Sequence, residues 1–154
     1  DLTRAYRALE KGDPEPLFRS ASARFSDGSD VMTAVHLSES DFQTLIAATL
    51  YFDNDVEVVR EAQALGAKGG RIDLLIRPTA GSPVKHTFLV ELKYLSKAEG
   101  KTESAVKEAK EKALSQLRRY ARCSNIRGIS NLKCVAAVFV GTQLAEFVTE
   151  DVAG

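Results

Sequence analysis

Arg71-Ile72-Asp73-Leu74-Leu75-Ile76-Arg77 and Thr87-Phe88-Leu89-Val90-Glu91-Leu92-Lys93-Tyr94 are the two stretches whose reading decides the fold. Each is apolar on both faces, the pattern of strands inside a sheet covered on both sides. The segment between them, with a Pro-Thr-Ala-Gly-Ser-Pro loop at 78–83, is short enough for a hairpin, so the strands are expected to lie antiparallel and adjacent. Upstream, Ser38 is a good helix N-cap, and Phe42, Leu45, Ile46 and Leu50 recur at helical spacing until Asp53-Asn54-Asp55 ends the helix. A Val-rich strand is expected at 56–65 and a Gly-rich turn at 66–70. Downstream, 97–122 predicts one long helix, 133–141 a buried strand and 144–149 a last strand. The order helix, three strands, helix, strand makes an α/β sandwich around a mixed sheet.

Two helical segments precede this unit. The first, 2–11, stops at Gly12; Pro14 and Pro16 open the second, and Ser-Asp-Gly-Ser-Asp at 26–30 forms a polar loop. The expected division is an N-terminal helical extension or linker over 1–30 and a main domain over 31–154. Opening at Asp1 rather than Met, the chain reads as a processed or excised piece.

Composition narrows the class. With Lys plus Arg and Asp plus Glu both at 21, the net charge is zero, which argues against a purely electrostatic nucleic-acid binder. It leaves room for an enzyme whose acidic ligands offset basic contacts. No apolar run approaches the ~20 residues that span a bilayer, so no membrane partner is expected. Cys123 and Cys134 lack the spacing of a zinc site or disulfide framework and read as free thiols in a reducing intracellular compartment, the cytoplasm or, for an effector, the nucleus.

The chemistry sits inside the two central strands. Alternation puts Phe88, Val90 and Leu92 on one face and Leu89, Glu91 and Lys93 on the other. It likewise separates Ile72, Leu74 and Ile76 from Arg71, Asp73 and Leu75. A carboxylate buried in a strand costs several kcal/mol unless a partner, a metal or a substrate compensates it. If Asp73 and Glu91 converge, their oxygens and the Leu92 main-chain carbonyl are suitable hard ligands for Mg²⁺. Lys93 would then stand beside an activated water, orienting or deprotonating it, or neutralising charge that builds on a phosphate.

Asp73 followed by Glu91-Leu92-Lys93 resembles the active-site signature of the PD-(D/E)XK, or restriction-endonuclease-like, nuclease superfamily. Ile72 stands where the signature's proline would be, a departure that touches no ligand atom. The resemblance implies a restriction-endonuclease-like core in αβββαβ order, a catalytic set of Asp73, Glu91, Lys93 and Glu39, and hydrolysis of phosphodiester bonds by a metal-activated water. Mg²⁺ is the implied cofactor, with Mn²⁺ substituting, and nucleic acid the implied partner, DNA before RNA. Glu39 and Asp41 offer the acid that members carry on the preceding helix. Glu39-Ser40-Asp41-Phe42 is similar to a pattern in the branch linked to AAA-type ATPases, which favours Glu39, as a metal ligand, and a fused upstream ATPase. Gln116-Leu117-Arg118-Arg119-Tyr120 resembles the Q-x-x-x-Y motif of RecB-type nucleases, and implies substrate contacts by Gln116 and Tyr120. The four-residue spacing puts these two on one helix face, with Arg118, Arg119 and Arg122 beside them where phosphates could be held.

Plainer readings compete. Asp73 with Lys93 could be a structural ion pair, Glu39 a helix-start acid favoured by the macrodipole, and Tyr120 part of a core stripe. Glu57 and Glu61 read as solvent-facing. His36 and His86 lack a second ligand at helical or strand spacing. The rival for the whole chain is a catalytically inactive nuclease-fold module that binds nucleic acid or protein within a larger protein.

Overall fold

The computed structural model describes residues 2–27, 37–51, 53–66 and 69–152. His36, most of the 26–30 loop and the middle of the 66–70 turn lie outside the described residues. The elements are α1 (Leu2–Glu10), α2 (Glu15–Asp27), α3 (Glu39–Leu50), β1 (Val56–Ala64), β2 (Gly70–Pro78), β3 (Thr87–Leu95), α4 (Glu103–Ala121), β4 (Leu132–Val140) and β5 (Gln143–Asp151). The strands form one mixed sheet in the order β1-β2-β3-β4-β5. All neighbours run antiparallel except β3 and β4, which are parallel. That exception follows from the connection: a crossover through α4 returns the chain in the same direction, where a tight hairpin would reverse it.

Helices cover both faces, as the doubly apolar strands require. On one side Leu9 of α1, Leu17 and Phe18 of α2, and Phe42 and Ile46 of α3 meet Leu74, Ile76, Phe88 and Val90 of the sheet. Phe42 stacks on Phe139 with ring centroids 3.9 Å apart. On the other side Ala113, Leu114, Leu117 and Tyr120 of α4 pack on Ile72, Leu75, Leu89 and Ala136. The two α4-side cysteines are free and buried. No helix among the described residues is long and apolar enough to cross a membrane.

Two helix boundaries differ in informative ways. The expected single helix over 97–122 is a 3-10 turn at Glu99–Lys101 followed by α4. The Ser96 N–H donates to Glu99 Oε1 (3.0 Å) and the Glu99 N–H to Ser96 Oγ (3.1 Å), a closed local loop. Thr102 then takes extended dihedrals and its hydroxyl oxygen accepts the Ala105 N–H, restarting the helix. Gly100 presses on β4, where an added Cβ would lie 2.5 Å from Val140 Cγ1. At α3 the expected cap forms: the Ser38 N–H donates to Asp41 Oδ2 at 2.7 Å and the Ser38 hydroxyl at 3.0 Å. Asp41 is thereby committed to the helix start. Asp41→Ala should cost about 1 kcal/mol of stability, read as a lower urea midpoint with an unchanged slope.

Candidate active site

The two acids meet where the sheet opens. β2 and β3 pair at Ile76–Phe88, Leu75–Leu89 and Leu74–Val90, and the ladder stops there. In the gap, the Asp73 N–H donates to Glu91 Oε1 at 3.1 Å, and Asp73 Oδ2 accepts the Leu92 N–H at 2.7 Å. Each carboxyl therefore takes a main-chain donor that a continued ladder would have satisfied, which ties the acids to the strand edges.

The alternation expected for β2 holds only up to this point. Ile72 packs with Leu75 and Leu89 on the α4 side, away from Leu74 and Ile76. A matching irregularity lies across the sheet. Glu61 of β1 has φ +53°, the left-handed region, between the pairs Arg60–Leu74 and Ala62–Ile72. Past that residue the faces exchange: Val58 packs against the α3 side, Ala62 and Ala64 against the α4 side. At the same level Asp73 points into the gap between strands.

Asp73 is consequently reached from both faces. From α3, Gln43 Nε2 donates to Asp73 Oδ1 at 3.2 Å, and Gln43 is buried. Gln43 was missed in the sequence reading, although it lies four residues after Glu39 on the same helix face. Its Oε1 is buried with no hydrogen-bond partner. Glu39 itself is close enough for its charge to raise the Asp73 pKa.

The electrostatics are those of two acids held together, one buried and the other half-buried. Glu91 is only 4% exposed. Burial, and next the Asp73 charge beside it, push the Glu91 carboxyl up to about 8. Burial also raises Asp73, against the opposing Leu92 N–H, with Glu39 adding to the rise and Lys93 countering it. Lys93, half-buried on β3, eases the repulsion at both acids. Near neutral pH and without a cation, the pair therefore retains a proton.

On the α4 side Tyr120 closes the gap. It is 4% exposed, and its ring lies so close to β2 that a Cβ on Gly70 would sit 3.0 Å from its Cε1. Burial, then the charges of Glu91 and more weakly Asp73, raise the Tyr120 pKa. Gln116 precedes it by one turn, its Oε1 buried without a partner. The Arg119 guanidinium lies 5.1 Å from the centroid of the Tyr120 ring.

A family model described as the PD-(D/E)XK nuclease superfamily matches residues 37–147, from the start of α3 into β5. The chain belongs to this superfamily. The mixed sheet with its αβββαβ order has the restriction-endonuclease-like architecture, and membership assigns nuclease chemistry and nucleic-acid binding in general. Searches of curated proteins and of solved structures return no match.

PD-(D/E)XK nucleases usually use divalent metals. Among the described residues no three His, Cys, Asp or Glu side chains stand together as a ready-made ion cage. The donor set nonetheless fits a hard divalent cation: a buried Glu91 and a half-buried Asp73 carboxyl that repel one another, with Lys93 the cation acting on both among the described residues. A strand residue directs its N–H and C=O to the same edge. The Leu92 carbonyl therefore faces the opening that its N–H faces. Of the remaining candidates, Glu57 is paired with Arg77 at 2.9 Å on the surface, and Glu61 is exposed. His86 lies away from the acids against Lys133 and Gly12, its Nδ1 buried without a partner.

Proposed function

We propose that the protein is a metal-dependent nuclease that hydrolyses phosphodiester bonds in DNA at the Asp73–Glu91 gap. The observation that carries this reading is the cross-bonded pair itself, the buried Glu91 and half-buried Asp73 sharing one opening with Lys93 beside them. Asp73, Glu91 and the Leu92 carbonyl hold Mg²⁺, for which Mn²⁺ substitutes, and Glu39 completes the shell. The bound cation supplies Lewis acidity and lowers the pKa of water. Lys93 orients the attacking water and neutralises charge on the phosphate oxygens as the new P–O bond forms and the bond to the leaving sugar oxygen breaks. Gln116 and Tyr120, with Arg119, position the strand over the gap. Gln43 holds Asp73 in place through its Nε2 bond.

DNA is preferred to RNA through the family resemblance, which also supports a fused AAA-type ATPase as partner. The test is cleavage of plasmid, linear DNA and RNA in Mg²⁺, Mn²⁺ or EDTA by wild type, Asp73→Ala and Lys93→Ala. Cleavage is expected only for wild type with a divalent ion. Cleavage that survives both substitutions rules out this site. DNA binding with neither cleavage nor a metal response would favour the inactive binding module instead.

A further inference from the structure

A groove runs past the C-terminal end of α4, walled on its far side by Leu65 and Gly66 just after β1, with a volume of about 620 Å³. Arg118, Arg119 and Arg122 line it with Leu65, Ser115 and Ser124, and no acidic residue does among the described residues. Tyr120 links the groove to the active site: it is near enough to Glu91 and Asp73 for their charges to act on it, and the Arg119 guanidinium of the groove lies over its ring.

We infer that this groove carries the sugar-phosphate backbone of the nucleic-acid strand as it leaves the Asp73–Glu91 gap, Arg119 and Arg122 taking successive phosphates; the inference rests on the nuclease reading above. Three observations support it. Neither arginine has an acidic partner among the described residues, so their charges are available to a ligand. The macrodipole alone favours cations in a last helical turn, but it does not account for an opposing wall. That wall is built: the Leu65 carbonyl accepts both the Ser124 N–H (3.1 Å) and the Ser124 hydroxyl (3.2 Å), and the Leu65 N–H donates to Asn125 Oδ1 (2.9 Å). It holds the Leu65 side chain 51% exposed, an apolar surface for a sugar or base. The third is a contrast with the neighbouring groove, which shares Arg118 and Arg122 but adds Glu150 and Asp151 to its lining. There Glu150 takes Arg118 at 2.6 Å, and the acids would repel a phosphate chain. The strand therefore follows the first groove.

The experiment is fluorescence-anisotropy binding of single-stranded and duplex DNA in EDTA, titrated with salt, for wild type, Arg122→Ala and Arg19→Ala. Arg122 and Arg19 are both exposed, and Arg19 lies on α2, across the sheet from α4. Arg122→Ala is expected to weaken binding several-fold and to flatten the slope of log affinity against log salt by about 0.9 on duplex or 0.7 on single strands, one lost phosphate contact. Arg19→Ala should match wild type. An unchanged slope in Arg122→Ala, an equal change in Arg19→Ala, or no binding by wild type overturns the groove. Cleavage in Mg²⁺ is scored separately. Cleavage with an unchanged Arg122→Ala slope removes the groove and spares the nuclease; a flattened slope without cleavage does the reverse.

Discussion

Glu91→Gln is expected to lower the rate of DNA cleavage by at least ~10³-fold while leaving the cation-free protein as stable as wild type, or more so. Both halves follow from one geometry. The Glu91 carboxyl is pushed up to about 8, so in neutral solution without a cation it already holds a proton. Glutamine has nearly the shape of that protonated acid. Its amide oxygen can still accept the Asp73 N–H, as Oε1 does at 3.1 Å, while its N–H groups stand where the acid's proton would be and cannot ionise beside Asp73. Burying a neutral, bonded amide avoids the desolvation that an ionised carboxylate suffers. Catalysis makes the opposite demand. A neutral amide is a poor ligand for a hard cation, and losing one preorganised charge at such a centre costs on the order of 10²–10³ in rate even before cation affinity falls. Initial rates in Mg²⁺ and urea melts in EDTA measure the two halves. A variant cutting within tenfold of wild type, or one whose metal-free fold loses more than about 2 kcal/mol, would show that Glu91 is structural.

The same pair explains what the residues alone could and could not reveal. That Arg71–Arg77 and Thr87–Tyr94 form a central antiparallel pair was legible, because doubly apolar strands joined by a short loop have few alternatives. So was the meeting of Asp73 with Glu91, since their spacing from the loop fixes the register. The parting of the strands at that level was not. It comes with a left-handed backbone at Glu61 on a third strand, and nothing in Arg60-Glu61-Ala62 signals this. With the parting unseen, Ile72 was assigned to the wrong face. Gln43 was missed for a related reason: a polar residue between Phe42 and Leu45 looks like the solvated side of a helix until the strand gap below is known. The interruption at Thr102 was hidden because Ser96 and Glu99 act through side-chain bonds that compete with helix. The resemblance of Glu39-Ser40-Asp41-Phe42 favoured Glu39 over Asp41, and what the sequence did not show is that Asp41 is taken up by the Ser38 bonds.

In EDTA the protein is expected to become less stable as pH rises from about 4.5 toward 8, and saturating Mg²⁺ is expected to cancel that loss. The carboxyl of Glu91 has its ordinary value of 4.5 in the unfolded chain and about 8 in the folded one, and Asp73 is raised in the same direction. Between these values the folded state binds more protons than the unfolded state, so unfolding releases them and stability falls with rising pH. The contribution is complete below the unfolded value and is lost as pH passes through the folded one. His86 works against it: burial, then Lys133, lowers its pKa from 6.5, so its share of stability is gained as pH rises through that value. The shifts of Glu57 and Glu99 act below 4.5 and belong to surface groups. Comparing wild type with Glu91→Gln across the same pH range cancels His86 and isolates the pair. The difference should grow across that interval by up to about 1.4 kcal/mol per pH unit, each kcal/mol being worth about 2–4 °C in Tm for a chain of this size. A divalent ion keeps both acids ionised and binds only the folded arrangement, so its stabilisation must increase over the same interval as protons cease to compete. Parallel pH curves for the two proteins in EDTA would mean that Glu91 is already ionised at neutral pH, and that the gap between β2 and β3 is open enough to water to hold its charge without a cation.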